Sequence, residues 1–558
     1  MSIARYLFSV IVLRSQHFNS LCVHCLVVGR VLACTLFCAE MALSEQTDVK
    51  GFKIEEKMEE SQIQKAFAGS TILLTGGTGF LGKLLVEKLL RSCPDVKKIY
   101  LLTRPKKNKD IIKRLQEQFD DCLYDKLRKE RPDFIQKIQV VDGDVSKIGL
   151  GINDEDRKNI INEVEYIFHG AATVRFDEAL KTAVLINVRG TREMLVLARA
   201  CTKLRALVHI STAYSNCPLK EIDEKFYESP LSAEKMIDLV ESMDDKTLNT
   251  ITPGILGEFP NTYAYTKFLA EDIVQKNSYG LPVAVNRPSI VVGTAKEPLL
   301  GWIDNVYGPT GVVVGAGVGL IHTLNCDPKA VADLVPGDYV VNSVIAAAWK
   351  MARDHPGNHE EAPMDQLPVI YNYVSSEQKP LTWEMFMKYN ELYGIETPPL
   401  QAVWAYLLIL TPNIFFYKFC CLLMHWFPAY VVDGVCFLIG KKLMLRKAYT
   451  KIEKFSAVIG YFALRQWKFH NNNTQGLYKE MCGVDREMFD FDIGSLDWNE
   501  YHKSYVTGVR QYLLKDPLET IPQAKKKFMR LKFLHYVCTV IFFFLLYKFF
   551  SFIFRVIV

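Results

Sequence analysis

Short apolar runs alternate with amphipathic stretches over much of the chain, beginning at residue 70. Thr71–Thr75 is typical of a buried strand, and apolar residues at helical spacing follow from Leu84 to Leu90. Five more runs resemble the first: Lys98–Thr103, Ile138–Asp144, Tyr166–Gly170, Ala206–Ser211 and Leu281–Asn286. Strands that alternate with helices of this length form βαβ units. The pattern therefore predicts an α/β fold with a doubly wound parallel sheet that is covered on both faces.

The regular alternation weakens beyond about residue 300, where a smaller and mainly helical C-terminal domain is expected. A glycine-rich segment, Gly308–Gly319, comes first. Residues 401–446 are strongly apolar but are interrupted by Pro412 and Pro428. Two interpretations fit that region equally: helices that lie on or dip into a membrane surface, or a buried pair of core helices.

Both ends of the chain are apolar. Residues 1–40 contain Arg5, Arg14 and Arg30, so neither half reaches the roughly 20 apolar residues of a membrane span. This leader is interpreted as a signal peptide, a weak anchor or a segment upstream of an alternative start at Met41. Phe533–Phe554 is long enough to span a bilayer and follows a basic flank: Lys525, Lys526, Lys527, Arg530 and Lys532.

That C-terminal segment predicts a transmembrane anchor with the main body of the protein in the cytosol, because basic flanks stay on the cytosolic side. Lys548 lies within the apolar run and would have to extend toward the headgroups. The alternative is a helix that lies in the membrane interface.

Composition narrows the class of protein. The 558 residues carry 67 Lys and Arg against 62 Asp and Glu, a net charge of +5, which excludes a strongly basic nucleic-acid binder. The 14 cysteines fit no disulfide framework and are expected to be reduced. Cys22 and Cys25 have the spacing of half a zinc site but no second pair accompanies them, so no metal site is predicted.

A glycine-rich turn, Thr75–Gly82, separates the first strand from the first helix. Glycines allow a tight bend and let backbone N–H groups approach a pyrophosphate at the helix N-terminus. In this strand–turn–helix context the turn predicts a Rossmann-like dinucleotide site. No Gly-Lys-Ser/Thr ending follows, which excludes a nucleoside-triphosphate P-loop.

The second strand ends at Arg104 and not at an acidic residue. Arginine suits the 2′-phosphate of NADP, whereas Asp or Glu would bind the ribose hydroxyl of NAD, so NADPH is the expected cofactor. Lys106, Lys107 and Lys109 would strengthen the positive field, or else form a solvated basic loop. Asp144, after the third strand, is expected to accept the adenine amino group, although aspartate at this position is also a common turn residue.

Tyr263 and Lys267 are one helical turn apart, and no other tyrosine in the chain has lysine four residues later. A nearby ammonium is expected to lower the phenol's pKa toward working pH and to bond the nicotinamide ribose. Thr212 and Ser211 end a strand at the carboxyl edge of the sheet, where one hydroxyl can stabilise a developing oxyanion. Thr212 is preferred and Ser211 is the alternative.

These residues resemble the extended short-chain dehydrogenase/reductase superfamily and, within it, the alcohol-forming fatty acyl-CoA reductases. The resemblance covers roughly residues 55–515. It is carried by Thr75–Gly82, Tyr100–Pro105, Gly143–Val145, His169–Phe176, Asn187–Thr191, His209–Asn216, Tyr263–Lys267, Arg287–Ile290, Asp333–Asn342, Phe489–Asp492 and Asp497–Tyr501. The interval from Thr212 to Tyr263 is longer than in simple short-chain reductases, as it also is in the acyl-CoA reductases.

The resemblance implies a catalytic set and a cofactor set. The catalytic residues would be Tyr263, Lys267, Thr212 and Ser211. The cofactor contacts would be Thr75, Gly76, Gly77, Thr78, Gly79, Phe80, Leu81, Gly82, Arg104, Asp144, Val145, Ala171, Ala172, Tyr263, Lys267, Arg287 and Pro288. The domains would be an N-terminal extension (1–69), an NADPH-binding reductase domain (70–375), a C-terminal reductase domain (376–515) and a basic flank with anchor (525–558).

By the same resemblance the substrate is a long-chain fatty acyl-CoA, reduced through an aldehyde to a primary alcohol at a membrane of the endoplasmic reticulum or peroxisome. The 308–319 and 401–439 segments are candidates for contact with the acyl chain, and the alternative is that they only pack within the protein. One alternative is another extended short-chain enzyme, which would be 3β-hydroxysteroid dehydrogenase-like, epimerase-like or aldehyde-releasing. The other alternative is a non-catalytic NADPH-binding membrane scaffold.

Overall fold

A computed structural model describes residues 60–104, 111–355 and 367–557. The apolar leader, Met41 and the lysines at 106, 107 and 109 lie outside the described residues. Within the described ranges, the strands and helices follow one another as the sequence pattern indicates from residue 70 onward.

Thirteen strands are described, and seven of them form one parallel sheet. The strands are β1 Thr71–Thr75, β2 Lys98–Thr103, β3 Ile138–Asp142, β4 Tyr166–His169, β5 Ala206–Ile210, β6 Glu221–Ile222, β7 Val283–Pro288, β8 Ile290–Val292, β9 Thr323–Asn325, β10 Leu334–Pro336, β11 Val369–Tyr373, β12 Ile409–Thr411 and β13 Lys468–Phe469. The sheet order is β11-β7-β5-β4-β1-β2-β3. From β1 the strands continue to one side as β2 and β3 and then to the other side as β4, β5, β7 and β11. Dinucleotides bind in such folds at the point between β1 and β4 where the strand order reverses.

The helices cover both faces of the sheet and form most of the C-terminal part. They are α1 Gln62–Phe67, α2 Phe80–Ser92, α3 Ile111–Phe119, α4 Asp125–Glu130, α5 Asp154–Glu163, α6 Leu180–Ala183, α7 Gly190–Ala200, α8 Ala233–Ser242, α9 Asp245–Leu256, α10 Thr262–Asn277, α11 Pro309–Gly317, α12 Gly337–Asp354, α13 Trp383–Glu396, α14 Ile414–Cys421, α15 Phe427–Leu438, α16 Leu445–Ala463, α17 Asn472–Glu480, α18 Gly483–Met488, α19 Trp498–Gly508 and α20 Ile521–Ile557. A π-helical segment, Val184–Arg189, joins α6 to α7, and another, Leu422–Trp426, joins α14 to α15.

The sheet separates two apolar cores. Side chains alternate across β1: Leu74 packs with α2 and α12 on one face, and Leu73 packs with α7 and α10 on the other. Both leucines are buried. Burial on both faces explains why the strands are continuous apolar runs without polar alternation.

The predicted fold class is confirmed, with two differences in detail. β7 begins at Val283, two residues later than the apolar run beginning at Leu281 suggests, and extends to Pro288. The pattern did not indicate β11, which pairs with β7 at the edge of the sheet. The apolar run of β11 is short and is interrupted by Asn372. Its position in the sheet depends on β7, which is far away along the chain.

Two described helical stretches are long and apolar enough to cross a membrane, Ile414–Leu438 and Leu518–Arg555. No part of the apolar window of the second stretch is buried, and only 17% of the first is. The 401–446 region is therefore not a buried pair of core helices.

Candidate active site

The glycine turn lies between β1 and α2 and brings two backbone segments into close contact. Gly76 has a φ of 78°, and a Cβ at this position would lie 2.8 Å from the Gly170 carbonyl. A Cβ on Gly82 would lie 2.1 Å from the carbonyl oxygen of Gly76. Gly79 caps α2 without a side-chain hydrogen bond, and no acidic residue lies in the first turn. The N–H groups and the positive end of α2 thus fit the pyrophosphate of a dinucleotide.

The other predicted residues of the turn occupy different positions around the bend. Thr78 is exposed at its tip, and Gly77 is buried behind it. Phe80 and Leu81 are half-buried in the first turn of α2. The Phe80 ring stacks on Trp302, with ring centroids 5.4 Å apart, which anchors the start of the helix.

A chain of hydrogen bonds links the glycine turn to α10. The Thr75 hydroxyl is 2.9 Å from Nδ1 of His169. Nε2 of His169 is 3.3 Å from Oγ1 of Thr191, and the Thr191 hydroxyl donates to the Asn187 carbonyl at 2.7 Å. The Asn187 amide donates to Oγ1 of Thr266 at 2.9 Å. The ends of β1 and β4 are therefore connected to the helix that carries Tyr263.

This chain determines which nitrogen of His169 is protonated. The Thr191 hydroxyl already donates elsewhere, so it can only accept a proton from Nε2. Burial, together with the positive charge of Lys267, lowers the pKa of His169 to about 3, which keeps the ring neutral. Thr75 must then donate to Nδ1, while its oxygen accepts from the Ala171 N–H at 3.1 Å. His169 is therefore a fixed link and not an acid–base group.

Tyr263 and Lys267 lie in α10, at the carboxyl edge of the sheet. Asn261 caps this helix, since its side chain accepts from the Ala264 N–H at 2.8 Å. The Lys267 ammonium is buried and donates to the carbonyl of Ile210, the last residue of β5, at 2.8 Å. This bond fixes the ammonium where β5 ends.

Burial shifts the pKa values of both groups. It lowers the pKa of Lys267 to about 8, against the opposing effect of the Glu271 carboxylate. It raises the pKa of Tyr263 to about 12, and a hydrogen bond with Thr212 offsets only part of this increase. The expectation that Lys267 brings the phenol's pKa toward working pH is therefore wrong, because desolvation dominates. Tyr263 holds its proton at neutral pH, as a proton donor must.

The two hydroxyls that follow β5 have different surroundings. Ser211 is buried and donates to Oε1 of Glu271 at 2.5 Å. Thr212 lies close enough to the Tyr263 phenol to lower its pKa, and it accepts from the Tyr214 N–H at 3.3 Å. Thr212 and Tyr263 line one cavity, whereas Ser211 is not among the residues that line it.

That cavity is apolar, with a volume of about 110 Å³. The Phe176 ring stacks on Tyr263 at a centroid distance of 5.7 Å and lies 5.8 Å from the Phe462 ring. The other lining residues are Tyr214, Ala264, Ile290, Gly308, Pro309, Val312, Leu324, Cys326, Trp383, Phe386, Met387, Leu410, Ile459 and Ala463. Thr212 and Tyr263 therefore border a space suited to an apolar chain.

The expected acyl-contact segments contribute unequally to this lining. Gly308–Gly319 supplies three residues, whereas 401–439 supplies only Leu410. Helices α13 and α16 supply six lining residues that sequence reasoning missed. α16 is apolar on one side, but only the folded chain shows that this side lines the same cavity as Tyr263.

Arg104 is exposed at the end of β2, beside the strand that carries the glycine turn. Arg114, which sequence reasoning also missed, donates from Nη1 to the Arg104 carbonyl at 2.9 Å. Two guanidinium-bearing residues thus lie where the 2′-phosphate of NADP is expected.

Asp144 and Val145 follow β3, next to β2. Asp144 accepts from the backbone N–H and the hydroxyl of Ser146 at 3.0 and 2.7 Å through one carboxylate oxygen, Oδ1. Val145 packs closely on Gly190 at the start of α7. Ala171 and Ala172 continue from β4 and are half-buried beside the glycine turn.

Arg287 is fully buried at the end of β7, and its side chain has a structural role. It donates to both carboxylate oxygens of Glu271, at 2.9 and 2.5 Å. Its other donors meet the carbonyls of Asp223 and Lys225 and the side chain of Asn372. No N–H of the guanidinium remains for a ligand. Any cofactor contact here, or at the buried Pro288 that follows, would use the backbone.

Comparison with known protein families gives two matches, both to models described as male sterility protein. An NAD-binding model matches residues 74–344, and a second model, named Sterile, matches residues 424–516. The first range includes the glycine turn, Thr212, Tyr263 and Lys267.

Named relatives align over most of the chain. It is 40% identical over 490 residues to "Fatty acyl-CoA reductase wat" of Drosophila melanogaster, covering 88% of this chain and 93% of that protein. It is 38% identical over 478 residues to "Fatty acyl-CoA reductase 2" of Homo sapiens, covering 86% and 91%.

Among solved structures, the fold is similar to the reductase domain of a nonribosomal peptide synthetase from Mycobacterium tuberculosis. The TM-score is 0.52 at 19% identity, covering 81% of this chain and 95% of that one. At this identity the likeness concerns the fold.

Proposed function

Because the chain belongs to the fatty acyl-CoA reductase family, we propose that it reduces long-chain fatty acyl-CoA to a primary alcohol with NADPH. One observation carries this proposal: Tyr263 and Thr212 both line an apolar cavity, and Tyr263 lies on a helix that is hydrogen-bonded back to the glycine turn.

NADPH is proposed over NADH because Arg104 and Arg114 lie together at the end of β2. The glycine turn and the start of α2 would hold the pyrophosphate, and Lys267 would hold the nicotinamide ribose. When bound, the reduced nicotinamide supplies hydride to the substrate's carbonyl carbon.

During each reduction the chain's own residues stabilise the developing negative charge and supply the proton. Thr212 donates a hydrogen bond to the carbonyl oxygen as negative charge develops on it. Tyr263 then gives its proton to that oxygen. In the first reduction the resulting hemithioacetal passes its hydroxyl proton to the sulfur as the C–S bond breaks, so CoA leaves as its thiol and an aldehyde remains. Tyr263 regains a proton from solvent, and the aldehyde is reduced in the same place by a second hydride. The apolar cavity retains the chain between the two steps, so aldehyde is not released.

We propose that α20 anchors the protein in the membrane of the endoplasmic reticulum or peroxisome, with the catalytic body in the cytosol. α20 has 37 residues, a length of about 55 Å at about 1.5 Å per residue, against about 30 Å of hydrocarbon. Five of its seven basic residues lie at the end attached to the body, and the other two are Lys548 and Arg555. Lys548 lies over the Phe544 ring at 5.6 Å and can extend along the helix toward the headgroups.

The test is to supply the purified full-length protein with NADPH and a series of long-chain acyl-CoAs and to identify the lipid products. We expect alcohol without accumulated aldehyde, and a lower rate with NADH. Tyr263→Phe should lower the rate about 10²–10⁴-fold.

The matched control is Tyr265→Phe, which removes the same group from a ring that packs on Phe259 at 5.3 Å, away from the cavity. Its rate should stay close to that of the unaltered protein. Full activity of Tyr263→Phe, or free aldehyde as the main product, would contradict the proposal.

A further inference from the structure

Helix Ile414–Leu438, here called the surface helix, presents a wide apolar face that no other described part of the chain covers. Its most exposed apolar side chains are Phe415 (81%), Leu438 (82%) and Phe437 (72%). Other large apolar residues on it are also exposed: Phe416, Phe419, Leu422, Phe427, Tyr430, Val431, Val432 and Val435. Contiguous exposed apolar surface of this kind marks a contact with a partner or a membrane.

The opposite face of the surface helix is packed on the body along its length. Cys420, His425, Ala429 and Asp433 are buried, at a spacing that puts them on one side of the helix. His425 Nε2 accepts from the backbone N–H of His322, at the start of β9, at 3.0 Å. A helix held to the body along one side cannot cross a bilayer. It can lie along the bilayer surface with its apolar face in the hydrocarbon.

A basic rim follows the surface helix, where the chain turns back into α16. Lys441, Lys442 and Lys447 have no anionic partner among the described side chains. Arg446 lies over the Tyr430 ring at 5.4 Å and 3.4 Å from the Asp433 carboxylate.

The rim borders an open cavity of about 490 Å³. It is lined by Trp426, Tyr430, Asp433, Lys442, Leu443, Arg446, Lys447 and Thr450. Asp433 accepts from the backbone N–H groups of residues 444–446, so its charge is satisfied within the protein. Aromatic rings beside uncompensated cations are typical of the headgroup level of a membrane.

The surface helix and α20 are attached to the same short segment, residues 404–411. Trp404 donates from Nε1 to Nδ1 of His535 in α20 at 3.2 Å. A few residues later, the Leu407 carbonyl is 3.3 Å from Nδ1 of His322, whose backbone meets His425 of the surface helix. A bilayer that holds α20 is therefore adjacent to the surface helix.

We propose that the surface helix lies in the leaflet next to the catalytic body, with the phosphate of an anionic phospholipid held by Lys442, Arg446 and Lys447. Lys418, the cation on the exposed face, extends to the same headgroup level. This contact goes beyond the proposed reduction and does not depend on it. It also puts the membrane beside β9, β12 and α16, which form one wall of the apolar cavity.

The test uses the full chain in vesicles that carry a photoactivatable lipid, followed by mass spectrometry of the labelled peptides. The probe is phosphatidylserine in one set and phosphatidylcholine in the other. We expect both probes to label peptides of α20 and of residues 414–438, and the phosphatidylserine probe to label residues 426–450 more strongly.

The variant Lys442→Gln/Lys447→Gln should reduce phosphatidylserine labelling of residues 426–450 about tenfold and leave α20 labelling and acyl-CoA reduction unchanged. The matched control is Lys203→Gln/Lys246→Gln, which removes the same charge from exposed positions on the catalytic body. It should change none of these readouts.

Three results would overturn this proposal. The first is no labelling of residues 414–438, and the second is equal labelling of residues 426–450 by the two probes with no change in the variant. The third is loss of labelling when inorganic phosphate is added, which would assign the cations to a free anion. An inactive protein with labelled residues 414–438 would refute the proposed reduction and leave the membrane contact standing.

Discussion

In the proposed reduction, Tyr263 holds a proton and Thr212 stabilises the negative charge on the oxygen that will accept it. The phenol's pKa of about 12 keeps the proton in place until an oxyanion forms beside it. Proton transfer is then favourable because the substrate oxygen becomes a stronger base than the phenolate. At the residue scale the site therefore relies on burial, and not on a lowered phenol pKa.

Because Thr212 and Ser211 have different surroundings, we expect substitutions at these two residues to have different effects on kcat and on stability. Thr212→Val removes the hydroxyl beside Tyr263 and should lower kcat about 10²-fold with little change in melting temperature. Ser211→Ala removes a donor to the buried Glu271 carboxylate and should cost about 1–3 kcal/mol of stability with kcat nearly unchanged.

Steady-state kinetics and thermal melting of both variants check this. Ser211 would be the oxyanion donor, against our assignment, if its alanine variant lost kcat and the Thr212 variant did not.

The buried ammonium of Lys267 predicts how activity depends on pH. Its pKa falls from 10.5 to about 8, so the charge that we propose holds the ribose is lost as pH rises through about 8. We expect kcat/KM to decline over that range.

Stability should respond to Lys267 in the opposite sense. A lysine whose pKa is lower in the folded state than in the unfolded state binds fewer protons when folded between pH 8 and 10.5. Its contribution to stability therefore rises with pH in that interval. Loss of activity without a matching drop in melting temperature is the expected pattern. A rate that stays flat through this range would show that the charge of Lys267 is not required.

At the scale of elements, the position of α2 depends on its close approach to the glycine turn. Gly82→Ala would force a Cβ to within 2.1 Å of the Gly76 carbonyl oxygen, so α2 must shift. Its N–H groups would then no longer point toward the proposed pyrophosphate position. We expect the Kd for NADPH to rise about tenfold or more, equivalent to about 1.4 kcal/mol, as measured by titration calorimetry.

A matched glycine for this comparison is Gly394 in α13, where an added Cβ meets nothing within 4 Å. Gly394→Ala should leave the Kd unchanged and stabilise the helix by up to about 1 kcal/mol. Equal affinity of the Gly82 variant and the Gly394 variant would show that the turn does not hold the cofactor.

At the scale of the whole molecule, substitutions in α20 test whether the protein is anchored in a membrane or only contacts its surface. Phe543→Asp/Leu545→Asp puts two charges into the apolar run at a cost of about 2.5–3.5 kcal/mol each. We expect this variant to be extracted from membranes by alkaline carbonate, whereas the unaltered chain resists extraction.

The comparison variant is Phe437→Asp/Leu438→Asp, with the same charges on the surface helix. It should remain resistant to extraction, because α20 still holds the chain. Extraction of both variants to the same extent would mean that α20 alone does not anchor the protein.

Local patterns in the sequence were sufficient for the doubly wound sheet, the glycine turn and the Tyr263–Lys267 spacing. Each is set by residues close together in the chain, whose periodicity and backbone freedom are physical properties of that segment alone. The helical C-terminal part followed from the same kind of evidence. Arg287 shows the limit of such reasoning. It lies in a segment that resembles the family and was therefore predicted to contact the cofactor. The sequence did not indicate that Glu271 and backbone carbonyls accept hydrogen bonds from its guanidinium group.

Tertiary structure alone decided what surrounds those residues. Whether Thr212 or Ser211 faces Tyr263, whether burial or the lysine controls the phenol, and which helices close the apolar cavity all depend on contacts between segments distant in the chain. α16 and α10 line the same cavity although almost two hundred residues separate them along the chain, and the surface helix is packed on one side only. Desolvation and packing are properties of the assembled molecule, so no local pattern of residues could have specified them.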